Sequence, residues 1–253
     1  MLRRVTQWVV PAMDFSDGGW WIVDDTGFPK QGWHSVGVAL QYCGLLGKQD
    51  NCQVAVSVSL ACQAGSLPVA WQLYLPRNGP TTRREKAGVP KDVQFVTKGQ
   101  IALTQTEHLM AQGAPRHGFL ADAGYGVDTA LREGLSEMGL PYVVGVTGSV
   151  TVWPPGHARY ERPESVKDVA FGLEPAQWHS IEWRQGTNFT LRSRFARVRV
   201  RAAHREHLRT EQRPEEWLLI KGPEGHKEPM KYWLSTLPED VALQRMVLEA
   251  KIR

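Results

Sequence analysis

Period-two alternation is clearest at residues 52–62, where Cys52, Val54, Val56, Val58, Leu60 and Cys62 take the even positions. The odd positions hold Gln53, Ala55, Ser57, Ser59 and Ala61. This pattern predicts a strand with one face toward a core. The turn Ala64-Gly65-Ser66 leads into a second run at 67–75, so the two are expected to form a hairpin. Upstream, the bulky run at 20–23 stops at Asp24-Asp25-Thr26-Gly27, which predicts a buried strand delivering two acids into a turn. Residues 2–10 place Leu2, Val5, Trp8 and Val9 on one helical face, and Pro11 ends that run. Residues 31–50 are rich in Gly and Gln without a clear period and read as a hairpin or an ordered loop. Prolines, glycines and charges make 76–97 a surface loop.

The period changes after Gly99. Ile101, Leu103, Leu109 and Met110 predict a helix that stops near Gly113-Ala114-Pro115. Residues 118–121 are a short apolar strand ending in Asp122. A helix then starts at Asp128-Thr129, runs through Leu131, Leu135 and Met138, and closes at Gly139 and Pro141. Residues 142–146 form a further apolar strand. From 147 to 236 the chain turns to Trp, Pro and Arg, with short strands expected at 178–184, 189–201, 216–221 and 230–236. Pro238, Glu239 and Asp240 would open a last helix through Val241, Leu243, Met246, Val247 and Ala250. The order predicts a mixed α/β protein, antiparallel at first and with parallel crossovers later.

Composition narrows the class. Of 253 residues, 42% are hydrophobic and 22% charged, with 10 Trp, so the chain can fill a core and wholesale disorder is excluded. No window approaches the roughly 18 apolar residues of a membrane span, and the amino terminus lacks a secretory cleavage pattern. Three cysteines without a CxxC pair argue against a disulfide scaffold or a four-cysteine zinc site. A reducing cytoplasm is the expected compartment. The formal charge of +4 says little, but Arg192, Arg194, Arg197, Arg199, Arg201, Arg205 and Arg209 form a dense run. Arg197, Arg199 and Arg201 alternate with Val198 and Val200, which gives one strand face an apolar character and the other a cationic one. Such a face either pairs with acids elsewhere or contacts phosphates. Trp178, Trp183, Trp217 and Trp233 share the block, as core or as a stacking surface for an extruded base.

The candidate chemistry lies in acids at strand ends: Asp24 with Asp25, and Asp122. A carboxylate held there is costly without a cation, and two from neighbouring strands would suit Mg²⁺. The plainer reading is that these acids initiate turns or cap helices.

The string Val23-Asp24-Asp25-Thr26-Gly27-Phe28-Pro29-Lys30 is followed by His34-Ser35-Val36-Gly37-Val38, Gln41-Tyr42-Cys43-Gly44 and 47–53 (GKQDNCQ). It closely resembles bacterial insertion-sequence transposases with a DDE endonuclease domain. Residues 120–126 (LADAGYG) look like that group's second acidic motif, and 231–235 (KYWLS) like its late strand. The resemblance covers 2–253. It implies an RNase H-like mixed five-stranded sheet flanked by helices, with the first and fourth strands adjacent and a β-rich insertion before the last helix. The corresponding division is 1–147 as core, 148–236 as insertion and 237–253 as the start of the final core helix. It further implies Asp24 and Asp122 as catalytic metal ligands, with Asp25 as the alternative to Asp24. Two ions of Mg²⁺ or Mn²⁺ would run phosphoryl transfer on double-stranded DNA at transposon ends and target. A homodimer in the DNA complex is an allowed assembly, and the location would be cytoplasmic and nucleoid-associated. Arg192, Arg194, Arg197, Arg199, Arg201 and Arg205 are the expected phosphate contacts.

The sequence also departs from the pattern. The family's third ligand is a glutamate in a motif rich in Arg, Trp, Tyr and Lys, and that motif does not occur here. Glu239, Asp240 and Glu249 lie on the last helix without its surroundings. The amino-terminal DNA-end-recognition region is not found either. The expectation is a core truncated at both ends, impaired in cleavage or reduced to DNA binding.

Rival motifs fare worse. Gly124-Tyr125-Gly126 lacks the third glycine of a dinucleotide fingerprint and follows an acid that would repel pyrophosphate. Residues 44–48 lack the spacing of a phosphate-binding loop. There is no GxSxG, and His204 and His207 around Glu206 do not form HExxH.

Overall fold

A computed structural model describes residues 2–16, 18–77, 85–157, 161–185, 190–204, 211–222, 228–229 and 231–252. The chain is mixed α/β and forms two compact units, Met1–His117 and Gly118–Arg253.

In the first unit, helix α1 (Leu2–Val9) precedes four strands: β1 (Trp20–Pro29), β2 (Ala39–Cys43), β3 (Lys48–Cys62) and β4 (Gly65–Tyr74). Strand β3 is central. It pairs antiparallel with β1 on one edge, and on the other with β2 along its first residues and β4 along the rest. The alternation at 52–62 therefore marks a strand, but not a one-faced one: Ala55, Ser57 and Ala61 are buried as well as Val54, Val56 and Val58. Helix α2 (Lys98–Ala111) starts on the face of Val54 and Val56: its first residue, Lys98, ion-pairs with Asp25, the cross-strand partner of Val56, and its Gln105 amide donates to the Val56 carbonyl at 3.4 Å. Thr97 and Gln100 close a capping box at the start of α2. The ambiguous stretch 31–50 contains the β2–β3 hairpin. Its turn is closed by the Leu46 and Gly47 amides donating to the Cys43 carbonyl, with Gly47 at φ 64°.

One expectation is corrected here. The run at 20–23 does not stop in a turn; β1 is ten residues long and holds Asp24 and Asp25 mid-strand. The cause is the length of β3, which supplies partners from Ala61 opposite Trp20 to Cys52 opposite Pro29.

In the second unit, β5 (Gly118–Ala121) runs parallel to β6 (Tyr142–Val146), with Phe119 opposite Tyr142. The connection that parallel pairing requires is made by α3 (Ala123–Gly126) and α4 (Thr129–Glu137), the latter capped by Asp128. All five residues of β6 are buried. Beyond it the β-rich stretch extends the same sheet. Strand β12 (Lys231–Ser235) pairs antiparallel with β6, β11 (Glu216–Gly222) with β12, and β10 (Thr190–Ala202) with β11. The far edge of β10 carries β9 (His179–Gln185) and then β7 (Thr151–Trp153), and β7 pairs with β8 (Glu164–Ser165). Helix α5 (Val166–Phe171) follows β8, and α6 (Leu243–Lys251) ends the described chain. Helix α6 starts five residues later than expected. Residues 238–241 are a turn in which the Pro238 carbonyl accepts from the Val241 amide and the Trp217 indole, each at 3.2 Å.

A buried polar network ties the unit together. The Tyr142 hydroxyl donates to Glu216 at 2.8 Å, and buried Arg132 donates to the Gly126 carbonyl at the corner between α3 and α4. Burial raises the Glu216 carboxyl above its ordinary range; the nearby Arg132 guanidinium offsets part of that rise.

Candidate active site and arginine face

Asp122 follows directly on β5, the short buried strand Phe119-Leu120-Ala121. Its backbone is extended (φ −82°, ψ −175°) and its side chain accepts from the Gly124 amide at 2.9 Å, so it caps α3. The plain capping role is therefore realised. The same residue also lines a cavity of about 590 Å³ with Thr147, Lys231, Trp233, Glu249 and Lys251. Two glycines set its position. A Cβ on Gly126 would lie 2.0 Å from the Gly145 carbonyl oxygen, and one on Gly145 would lie 2.9 Å from the Ala123 nitrogen. With no side chain at either position, the backbone bearing Asp122 rests directly on β6.

The cavity brings in residues that sequence reasoning set aside or passed over. Glu249 is 7% exposed on α6 and is held by Arg245 one helical turn earlier at 2.8 Å. Lys251, at the end of that helix, has its ammonium pushed down to about 8 by burial and by the charges of Lys221 and Lys231. The i, i+4 spacing of Arg245 and Glu249 was visible in the sequence. The approach of Lys251 to Lys221 was not, because it depends on how α6 packs.

Asp24 and Asp25 belong to the first unit. Successive strand residues face opposite sides, and the two acids have different surroundings. Asp24 is exposed, accepts from the Asp25 amide at 2.8 Å, and receives the Ser57 hydroxyl on its carbonyl at 3.1 Å. Asp25 is half-buried and ion-paired with Lys98, whose ammonium lies 5.2 Å from the Tyr74 ring centre. That pairing commits Asp25 to the start of α2 and separates it from its neighbour in role.

Carboxylate oxygens are the donors Mg²⁺ prefers, and one or two carboxylates plus substrate phosphates commonly suffice. Asp24 and Asp122 fit that chemistry as exposed donors on rigid elements. Among the described residues, no cluster of three or more His, Cys, Asp or Glu side chains is placed to hold a metal.

The arginine face is largely engaged within the protein. Arg197 lies 4.3 Å and Arg199 5.0 Å from the Trp217 ring centre, and Arg197 also donates to the Val241 carbonyl. Arg199 is 3.3 Å from Glu239 and 3.8 Å from Glu215, and Arg201 is 3.7 Å from Glu215. The cationic stripe expected from the alternation is therefore lined with acids and an indole. Arg194 lies 5.6 Å from the Trp178 ring centre, and Arg192 is exposed. Arg205 lies outside the described residues.

Among proteins of known kind, a probable transposase for insertion sequence element IS701 from Microchaete diplosiphon is 32% identical over 142 residues. The match covers 55% of this chain and 35% of that protein, so the chain spans only about a third of its relative. A solved structure, the NurA nuclease from Sulfolobus solfataricus, aligns with 98% of the chain and 79% of its own at 8% identity and a TM-score of 0.40. That likeness is too slight to carry an argument. Among the described residues no helix is long and apolar enough to cross a membrane. The family model of the DDE superfamily endonuclease matches residues 1–190, three quarters of the sequence, and the chain belongs to that family.

Proposed function

We propose that this chain carries the catalytic core of a transposase that cuts and rejoins DNA strands at transposon ends. One observation carries the reading: Asp122, fixed at the end of a buried parallel strand, opens onto a cavity that also holds cationic side chains. Family membership and the insertion-sequence relative support it. Asp24 is the partner carboxylate we assign, in preference to Asp25, because Asp25 is neutralised by Lys98. An RNase H-like sheet, with the β-rich stretch 148–236 as an insertion, is the arrangement that would serve such a pair. Asp24 and Asp122 would hold Mg²⁺ or Mn²⁺, which when bound neutralises phosphoryl oxygens and acidifies water. The chain's own part is positional: the capped Asp122 and the close-packed glycines beneath it keep a carboxylate in one place. Acting as a homodimer on duplex DNA in the bacterial cytoplasm, at the nucleoid, follows from the same reading.

The glutamate motif of the family is not among these residues, so we assign the chain by itself weak cleavage. A second reading, DNA binding without cutting, is favoured by the state of Glu249. That residue shares the cavity of Asp122 but is already paired with Arg245.

The test is nicking of transposon-end DNA with Mg²⁺ or Mn²⁺. Asp122→Asn should lower the rate by at least about 10-fold, the scale on which even outer partners of a metal site matter, and Asp24→Asn should match it. Cleavage that survives both changes would overturn the assignment. Retained duplex binding without any nicking by the unaltered chain would select the second reading.

A further inference from the structure

Three lysines meet beside the cavity of Asp122. Lys221 and Lys231 are direct cross-strand partners on β11 and β12, so their side chains leave the same face of the sheet. Lys251 arrives from α6, and both it and Lys231 line the cavity. Its ammonium lies 4.6 Å from the Trp183 ring centre and 5.4 Å from that of Trp233, while Lys221 lies 5.6 Å from Trp183. Among the described residues, none of the three ammonium groups forms an ion pair with an acid. Glu249, the nearest acid along the helix, is held by Arg245.

Like charges placed directly opposite across a strand pair are destabilising. A helix C-terminus accounts for one cation at the end of α6, but not for three. Burial and mutual repulsion lower the ammonium groups of both Lys221 and Lys251. An arrangement this unfavourable in the isolated chain becomes favourable when an anion enters.

We propose that Lys221, Lys231 and Lys251, backed by Trp183 and Trp233, bind the phosphate backbone of a DNA strand where it passes the cavity of Asp122. The proposal rests on the nuclease reading for the identity of the strand, but its test does not depend on cleavage. The full chain is titrated with a short oligo-dT single strand in metal-free buffer, following tryptophan fluorescence across a salt series. Inorganic phosphate alone is titrated in parallel.

Lys231→Ala and Lys251→Ala should each weaken oligo-dT binding by about five- to tenfold and reduce the salt slope by ~0.7. Lys251→Arg should restore most of the affinity. Urea titration of each alanine variant checks that it is folded under the binding conditions, so weaker binding cannot be ascribed to unfolding. Unchanged affinity and salt slope in both alanine variants would overturn the proposal, as would equal binding of inorganic phosphate and oligo-dT. If instead the lysine effects appear while Asp122→Asn still cuts, the nuclease reading falls and the strand-binding site stands.

Discussion

Replacing Gly145 by alanine tests whether the position of Asp122 is set by backbone contact. The added Cβ would sit 2.9 Å from the Ala123 nitrogen and 3.1 Å from the Asp122 carbonyl carbon, whereas ordinary contact begins near 3.4 Å. Both atoms are backbone, and both belong to the junction between β5 and α3. No flexible side chain can yield, so the junction must lift by about 0.5 Å or the buried strand β6 must retreat. Overpacking of this kind costs about 1–3 kcal/mol, which for a chain of this size lowers Tm by roughly 2–8 °C. On the proposed function, a displacement of that size at a catalytic carboxylate should cost about tenfold in rate, given that 1 Å can cost ~10².

Gly148 provides the control. It lines the same cavity, but a Cβ there meets Lys167 and Tyr232 side chains at 3.4 Å, an ordinary contact. Gly148→Ala should therefore be neutral, or more stable by up to about 1 kcal/mol through the reduced freedom of the unfolded chain. Urea titration of both variants, with nicking assayed below their transitions, separates the cases. Equal stability of the two variants would refute the claim that Gly145 seats Asp122 by close contact.

Two further outcomes follow from the buried network and the arginine face. The native carboxyl of Glu216 titrates above its unfolded value, so its contribution to stability is full below the unfolded value and is lost as pH rises through the folded one. Glu216→Gln should therefore gain on the unaltered chain in urea midpoints as pH rises above the ordinary carboxyl range; a parallel pH dependence would refute that sign. Arg197→Ala removes a guanidinium 4.3 Å from the Trp217 ring centre and its bond to the Val241 carbonyl, at a cost of about 1–2 kcal/mol. The loss should appear as a lower Tm with duplex-DNA affinity little changed, and a drop in affinity at unchanged Tm would show that this arginine contacts phosphate instead.

What could be read from the residues divides along a physical line. Local signals held: residues 118–121 and 142–146 are strands, Asp128 caps a helix, and the Gly- and Gln-rich stretch 31–50, open between a hairpin and an ordered loop, contains a hairpin. Each depends on a few neighbouring side chains or a backbone preference. The readings that changed depend on a partner distant in sequence. Strand β1 runs past Asp25 because β3 is long enough to pair with it throughout. The last helix starts late because the Trp217 indole takes the Pro238 carbonyl. The arginines at 197, 199 and 201 do alternate, but Trp217, Glu215 and Glu239 stand beside that face.

The same division explains why Asp122 was legible and its surroundings were not. An acid after an apolar run and before Ala-Gly-Tyr-Gly is a local pattern, and it identifies a strand end with a cap. The cations around it come from residues 221, 231 and 251, joined through the register of β11 with β12 and the packing of α6. No window of sequence holds all three. A cluster that raises the energy of the chain alone cannot be predicted from local preference, since each preference argues against it. Such disagreement between local stability and observed placement is what a binding surface leaves in a fold. It is also why the three lysines, rather than the dense arginine run, are the stronger candidates for contact with a nucleic-acid backbone.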